Sequence, residues 1–352
     1  MYSMKPPKMT SIGEKINSLG LTLDDYKGAV STLCGGCGHD SITAAIVQAC
    51  FEIELNPQEL SKMSGIGCSS KTPGYFLSGS HGFNSVHGRM PSVTTGAYLA
   101  HSQMKFLGVS GDGDSGSIGI GQLIHAIRRR LNMLYIVENN GVYGLTKGQF
   151  SATADAQSQT RKGVECGQDP IDLARIAIEC GAPFVARSFS GDKKQLVPLI
   201  QAGLSVHGFS FLDVVSPCVS FNDHQGSTKS YQYTRKSTHE ATHIQDYVLQ
   251  KNEIKHSTLE LEKGIELHDG SFLRTKNSDQ SYNINDKAAA FSFLDQCREE
   301  GCVPTGLIYF DSSHPKCWHD FNKTVVKPLR DFTLKELSLH EKNMNDVNCL
   351  FR

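Results

Sequence analysis

Short unbroken apolar runs alternate along most of this chain with segments of helical period. That is the pattern of strands buried on both faces and of the amphipathic helices that cover them. The clearest unit starts at Phe106–Val109, passes through Gly111-Asp112-Gly113-Asp114, and continues with Ile118, Leu123, Ile124, Ala126 and Ile127 at helical spacing. Arg128, Arg129 and Arg130 then close the helix where its dipole favours positive charge, and a second apolar run, Met133–Val137, leads into Glu138-Asn139-Asn140-Gly141. A strand-helix-strand unit of this length predicts two parallel strands joined by a right-handed crossover. Upstream, a helix is predicted from Ser41 to Glu54, opened by Asp40 or Ser41, and another from Pro91 to about Gln103. Downstream follow a helix opened by Asp169-Pro170 and running to Cys180, a strand Phe184–Arg187, a helix Lys193–Val206 and a strand Phe209–Val215. The chain turns polar, with little periodicity, from about Gln225 to Asn285; a helix Ala288–Glu299 and the run Gly306–Phe310 are expected to pack back on the same domain. The sum is an α/β fold with a doubly wound, mostly parallel sheet. Its expected divisions are a loose amino-terminal arm (1–27), the main α/β domain (28–224), a segment packing on it (225–320) and a tail (321–352).

Composition narrows the function. At 352 residues the chain can bury a substantial core, and a formal net charge of −1 gives no electrostatic case for nucleic acid. No apolar stretch approaches the roughly 20 residues of a membrane span. The opening MYSMKPPKMTSIGEK lacks the apolar core of a signal peptide, so a cytoplasmic location is expected. In that reducing setting the eleven cysteines point to metal or cluster ligation before disulfides.

The predicted crossover sets Asp112 and Asn140 at the carboxyl edge of one sheet, where open α/β folds bind ligands. A carboxylate and an amide oxygen flanked by glycines suit a Mg²⁺ ion that also holds a phosphate ester, and hence a diphosphate-bearing cofactor. Gly-Asp-Gly alone is common in turns and Asn-Asn-Gly is an ordinary loop. Spaced by one βαβ unit, the two resemble the thiamine diphosphate fingerprint. That resemblance implies Mg²⁺ ligation by Asp112, the Asn140 side chain and the Val142 carbonyl.

Cys34 and Cys37 share a glycine-rich turn, Cys68 follows Gly65-Ile66-Gly67, and Cys218 directly follows a predicted strand. The three loops are expected to close on the same sheet edge as Asp112 and Asn140. Four thiolates bind either zinc or an iron–sulfur cluster, and two lone, distant ligands favour the cluster. Cys166, in a polar loop, competes for the fourth place. Cys50 and Cys180 lie on apolar helical faces and read as buried hydrophobes. Cys297, Cys302, Cys317 and Cys349 come late, and Cys317 with His314 and His319 is a weaker zinc candidate.

Six segments together carry a family resemblance: CGGCGHD (34–40), GIGCSSKTPGYF (65–76), HGRMPSVTTG (87–96), GDGDSGSIG (111–119), NNGVYGLTKGQFS (139–151) and CVSFND (218–223). KGIELHDGS and VPTGLIYF extend it, so that it covers roughly residues 28–315. The chain resembles the β subunit of 2-oxoacid:ferredoxin oxidoreductases, and the NNxxYGLTKGQ loop evokes the 2-oxoglutarate branch. The resemblance implies thiamine diphosphate, Mg²⁺ and a [4Fe-4S] cluster ligated by Cys34, Cys37, Cys68 and Cys218. By position, Ile66, Gly67, Cys68 and Ser69 would face the cofactor, with His87 near its diphosphate and Gly113, Asp114, Gly144 and Leu145 completing the cradle. Lys71 and Lys147 match positions facing the 2-oxoacid and coenzyme A; an isolated lysine is otherwise a solvated side chain. The implied activity is coenzyme A-dependent oxidative decarboxylation of a 2-oxoacid, with electrons passing through the cluster to ferredoxin. The pyrimidine-binding domain has no counterpart here, so an α subunit is implied. The chain departs from the family at Phe150-Ser151-Ala152-Thr153-Ala154, where YSPTS is usual. Members specific for pyruvate, a cluster-free thiamine diphosphate enzyme of the acetolactate synthase type, and a non-catalytic zinc module are the competing readings.

Overall fold

The structure, a computed structural model, describes residues 15–160, 163–249, 264–276, 282–313, 317–322, 327–338 and 341–350. Strands β1 (Leu60–Ser64), β2 (His81–Asn84), β3 (Lys105–Gly111) and β4 (Met133–Asn139) precede a small hairpin of β5 (Val142–Tyr143) and β6 (Gln149–Phe150). Then come β7 (Phe184–Phe189), β8 (Phe209–Val215), β9 (Thr238–Glu240), β10 (His243–Val248), β11 (Gly264–Glu266), β12 (Phe272–Lys276) and β13 (Val303–Phe310). Eight strands form one sheet in the order β2-β1-β3-β4-β8-β7-β13-β9. The first six run parallel; β13 is antiparallel to β7, and β9 runs parallel to β13.

Helices cover both faces. The principal ones are α1 (Gly38–Glu52), α2 (Met90–Ala100), α3 (Ile120–Arg128), α4 (Leu173–Glu179), α5 (Lys193–Ser205), α6 (Tyr231–Ser237) and α7 (Lys287–Glu300). Strand residues alternate between two buried clusters. Leu134, Ile136, Leu212 and Val214 pack with side chains of α1 and α5, whereas Tyr135, Val137, Phe209 and Phe211 pack with α3, α4 and α7. Burial on both faces explains why these strands read as continuous apolar runs. Among the described residues no helix is long and apolar enough to cross a membrane.

Several boundaries differ from expectation. Helix α1 begins at Gly38, with Cys37 in the N-cap position and no side-chain cap, so neither Asp40 nor Ser41 opens it. Helix α2 stops at Ala100 because His101 leaves helical backbone (φ −156°). Helix α4 starts at Leu173, where Asp172 accepts a cap bond from Arg175 N, later than Pro170. The stretch read as aperiodic contains a second, antiparallel sheet, β10-β12-β11, packed against α5. Of the expected loose arm, residues 15–27 are held: Tyr26 is fully buried, edge-on to Phe51, and Leu77 N donates to its carbonyl. Residues 1–14 lie outside the described residues, as does His314 of the weaker zinc candidate.

Candidate active site

Strands β1, β3, β4 and β8 are neighbours in the sheet and point the same way, so the four loops leaving their carboxyl ends lie side by side. Those loops begin at Gly65, Asp112, Asn140 and Ser216, the segments the sequence singled out. Ile66, Gly67, Cys68, Ser69, His87, Asp112, Gly113, Asp114, Asn140, Val142, Gly144 and Leu145 all line one cavity of about 90 Å³.

Asp112 is buried at the floor of this cavity. Its Oδ2 accepts from Gly141 N (3.1 Å), Thr153 Oγ1 (2.6 Å) and the Ser151 hydroxyl. Its Oδ1 accepts from Asn140 N at 3.3 Å. Burial pushes the carboxyl above its usual range, while the Ser151 and Thr153 hydroxyls pull it back. Asn140 Oδ1 accepts from Val142 N at 3.0 Å, and Asn222 Nδ2 fixes the Asn140 carbonyl at 2.8 Å. Gly141 sits at φ 74°, and a Cβ there would meet Asn222 Nδ2 at 2.8 Å, so the loop needs glycine twice over. Asp112, Asn140 and Val142 thus line one cavity at the sheet edge. A carboxylate offers about four lone-pair positions, and Oδ1 has one to spare for a cation. The donor set, all hard oxygens, fits Mg²⁺.

Asp114 lines the same cavity and also ties its surroundings together. Its carboxylate accepts from Ser110 Oγ (2.6 Å), Gly88 N (2.6 Å) and His87 Nδ1 (2.5 Å). Ile66 N also approaches Oδ1 at 3.4 Å, so the carboxylate pins the His87 loop to the β1 loop and the end of β3, with Nε2 the remaining ring nitrogen of His87. The ring also lies edge-on to Tyr143, whose hydroxyl donates to Gly113 O at 3.0 Å.

The four thiols occupy the adjoining corner. A Cβ on Gly144 would lie 3.4 Å from Cys68 Sγ and 3.7 Å from Cys218 Sγ, so these sulfurs flank one space. Gly38 N donates to Pro217 O (3.2 Å) and Ser220 Oγ to Cys34 Sγ (3.4 Å), which ties the Cys34–Cys37 turn to the Cys218 loop. The Cys37 thiol is pushed up to about 12 by burial, with Cys218 and Cys68 close enough to add to it. Four thiols gathered in one corner fit a four-thiolate site, either an iron–sulfur cluster or zinc. Cys166, the competitor, is buried with its thiol against Gln168 O (3.6 Å). Cys317 and His319 are also buried, the His319 ring lying against Tyr98. Lys71, in a short 3-10 helix (Ser69–Gly74), and Lys147, in a turn, are both exposed; Lys147 takes a left-handed φ of 78°, uncommon for a residue with a Cβ.

Sequence reasoning missed the supports beneath the site. Glu138 is fully buried, takes both Thr72 Oγ1 contacts (2.9 and 3.1 Å) and lies 3.7 Å from His39, which bonds Ser216 Oγ at 2.6 Å. Behind Asp112, Thr153 Oγ1 lies 2.9 Å from Asn139 Oδ1, Asn139 Nδ2 donates to Asp213 Oδ1 (3.0 Å), and Arg187 bridges Asp213 (2.8 Å) and Asp172 (2.6 Å). The signal was present: one arginine and one aspartate inside otherwise apolar strands.

Residues 65–214 match the model of the thiamine pyrophosphate enzyme C-terminal, TPP-binding domain. Over 194 residues the chain is 38% identical to 2-oxoacid:ferredoxin oxidoreductase subunit beta of Saccharolobus solfataricus, covering 54% of this chain and 63% of that one. It is 37% identical to 2-oxoglutarate oxidoreductase subunit KorB of Mycobacterium tuberculosis, over 54% of this chain and 51% of that one. To 2-oxoglutarate synthase subunit KorB of Methanocaldococcus jannaschii it is 35% identical, over 53% of this chain and 69% of that one. The match thus spans less than two thirds of the first two relatives and slightly more of the third. Among solved structures, 2-oxoglutarate:ferredoxin oxidoreductase from Magnetococcus marinus, with 2-oxoglutarate, coenzyme A and succinyl-CoA bound, superposes with a TM-score of 0.72 at 25% identity, over 97% of this chain and 100% of that one. With the relatives agreeing on one subunit type, and the fold and domain match agreeing with them, the chain belongs to the β-subunit family of the 2-oxoacid:ferredoxin oxidoreductases and carries its thiamine diphosphate-binding domain.

Proposed function

We propose that this chain is the β subunit of an enzyme that oxidatively decarboxylates a 2-oxoacid, 2-oxoglutarate in the first instance, forms the acyl-coenzyme A and passes electrons to ferredoxin. The observation that carries this is the position of Cys68: one segment, Ile66–Ser69, lines the cofactor cavity and also brings a sulfur into the four-thiol corner. A redox group held there would lie beside the reacting end of the cofactor. Thiamine diphosphate, when bound, supplies the electron sink and the nucleophile of the reaction.

The chain's own residues position and balance charge. Asp112, Asn140 and the Val142 carbonyl hold Mg²⁺, and His87, fixed by Asp114, offers Nε2 to the diphosphate. Ile66, Gly67, Ser69, Gly113, Gly144 and Leu145 form the cradle wall, with Ile66 and Leu145 partly exposed and available for apolar contact. Cys34, Cys37, Cys68 and Cys218 hold the [4Fe-4S] cluster. Lys71 and Lys147 offset the carboxylate charge of the 2-oxoacid and the phosphates of coenzyme A.

The cavity bears on the partner. Ligand pockets usually run to roughly 300–1,000 Å³, and this one is about 90 Å³. A cofactor seated here needs a second protein wall, the part of an α subunit with the pyrimidine-binding domain. Named relatives assigned to 2-oxoglutarate, and the neighbour with 2-oxoglutarate and coenzyme A bound, support that substrate choice.

Anaerobic co-purification with the α subunit, with iron and sulfide analysis and a viologen-coupled assay, tests the reading. The complex is expected to hold four irons per β chain and to reduce the viologen with 2-oxoglutarate and coenzyme A, and the isolated chain to show no turnover. Cys218→Ser is expected to lower iron content and viologen reduction together. Full reduction by a complex containing no iron, or turnover by this chain alone, would overturn the assignment.

A further inference from the structure

A second cluster of metal-ligating side chains lies at the far end of the sheet. Helix α7 ends at Gly301, whose left-handed backbone (φ 66°) turns the chain straight into β13. Cys302 N donates to Cys297 O at 2.8 Å and Gly301 N to Arg298 O at 3.3 Å, so Cys297 and Cys302 share a tight knuckle. The edge strand β9 runs beside β13 with His239 in register with Pro304. This brings His239, Cys297 and Cys302 together, their ligand atoms all within 4.8 Å of one another. Cys302 Sγ lies 3.9 Å from His239 Nδ1, and Glu300 Oε2 lies 3.9 Å from the same nitrogen. The His239 ring stands edge-on to Phe293, 5.4 Å between centroids, which sets its plane. Cys297 is fully buried, Cys302 half-buried and His239 exposed.

The chemistry of these donors is specific. Two thiols and an imidazole, with a carboxylate in reach, are a borderline-soft set that suits Zn²⁺ better than Mg²⁺ or Ca²⁺. Tetrahedral zinc, about 2.3 Å from sulfur and 2.0 Å from nitrogen, sets its ligands roughly 3.5–3.8 Å apart. The His239, Cys297 and Cys302 donors need to close by about 1 Å, within the reach of rotation at Cys302 and His239, and Glu300, already 3.9 Å from His239 Nδ1, has to swing toward the sulfurs.

We propose that His239, Cys297 and Cys302, with Glu300 as the fourth donor, form a structural zinc site that fastens the edge strand β9 to the end of α7. Both cysteines bind as thiolates, each releasing its proton to solvent, and no electrons are exchanged. The site shares no ligand with the four-thiol corner, so it stands whether or not that corner carries iron.

The test uses the full chain with its α subunit, purified anaerobically, equilibrated with zinc chloride and gel-filtered, with zinc and iron measured on the same sample. One equivalent of zinc is expected in the wild type and its loss in both Cys302→Ser and His239→Gln, with iron unchanged. The exposed His239 keeps that second variant clear of folding effects. Replacing zinc with Co²⁺ should give thiolate-to-cobalt charge-transfer absorption that vanishes in Cys302→Ser. No retained zinc in the wild type, zinc retained in full by both variants, or a Cys297–Cys302 linked peptide in anaerobic wild-type protein would each overturn the proposal.

Discussion

Asp112→Asn is expected to leave a folded chain that no longer gains stability from Mg²⁺ and thiamine diphosphate, and to lower turnover in the complex by more than about 100-fold. Losing only an outer partner of a metal ligand typically costs 10–100-fold in affinity or activity, so the ligand itself should cost more. The fold should survive because asparagine is nearly isosteric and removes a charge from a site fully shielded from water. With the amide oxygen in the place of Oδ2, Gly141 N and the Ser151 and Thr153 hydroxyls can all still donate to it, and the NH₂ takes the place of Oδ1, where only the long 3.3 Å contact from Asn140 N is lost. Thermal denaturation of the complex with the α subunit, with and without the two ligands, reads the effect. The wild type should be stabilised by about 2.7 kcal/mol at a ligand concentration near 100 times Kd, and the variant by none. A variant that keeps the ligand-induced shift would remove Asp112 from the metal site.

Arg187→Gln is expected to destabilise the chain by about 3–5 kcal/mol, because it leaves Asp213 and Asp172 without their shared counter-charge. For a chain of this length that corresponds to a melting temperature lower by about 5 °C. Burial would raise the Asp172 carboxyl, but the adjacent Arg187 guanidinium more than offsets this and holds it below the usual carboxylate range. A carboxyl lowered by folding stabilises the native state above its unfolded pKa of about 3.9 and loses that contribution as pH falls through its folded value. The wild type should therefore lose stability steeply on the acid side, and the variant, already without the pair, less steeply. Denaturant titrations between pH 7 and 3 would show it. Equal slopes in the two proteins would mean that Arg187 and Asp172 do not titrate as a pair.

What could be read from the sequence follows from what is local. Strand β8 was legible to the residue because both of its faces are buried, which leaves an apolar run with sharp ends. The loops at the carboxyl edge were legible because glycine, aspartate and asparagine in fixed order mark turns that approach a ligand. The start of α1 was not, since Cys37 caps it without the side-chain bond that makes Ser, Thr, Asp or Asn recognisable. The three-stranded sheet was hidden because the two buried residues of β10, Ile244 and Tyr247, stand three apart across a register shift, so the strand displays no period of two. Ser151 and Thr153 escaped for another reason. They act on Asp112 from 39 and 41 residues away, and no spacing rule links a hydroxyl to a carboxylate across a crossover. Arg187 and Asp213 sit opposite each other on adjacent strands, a pairing that only the register of β7 against β8 discloses.

The strand order bears on biosynthesis. Because β8 slots between β4 and β7, the sheet stays split until residue 215 has left the ribosome, and Cys218 is the last of the four thiols to arrive. At 5–20 residues per second, roughly 8–30 s separate the emergence of Cys68 from that of Cys218. Three of those thiols wait through that interval on a half-built edge, so a cluster held as proposed above would have to be inserted after translation, into a protein already closed around its place.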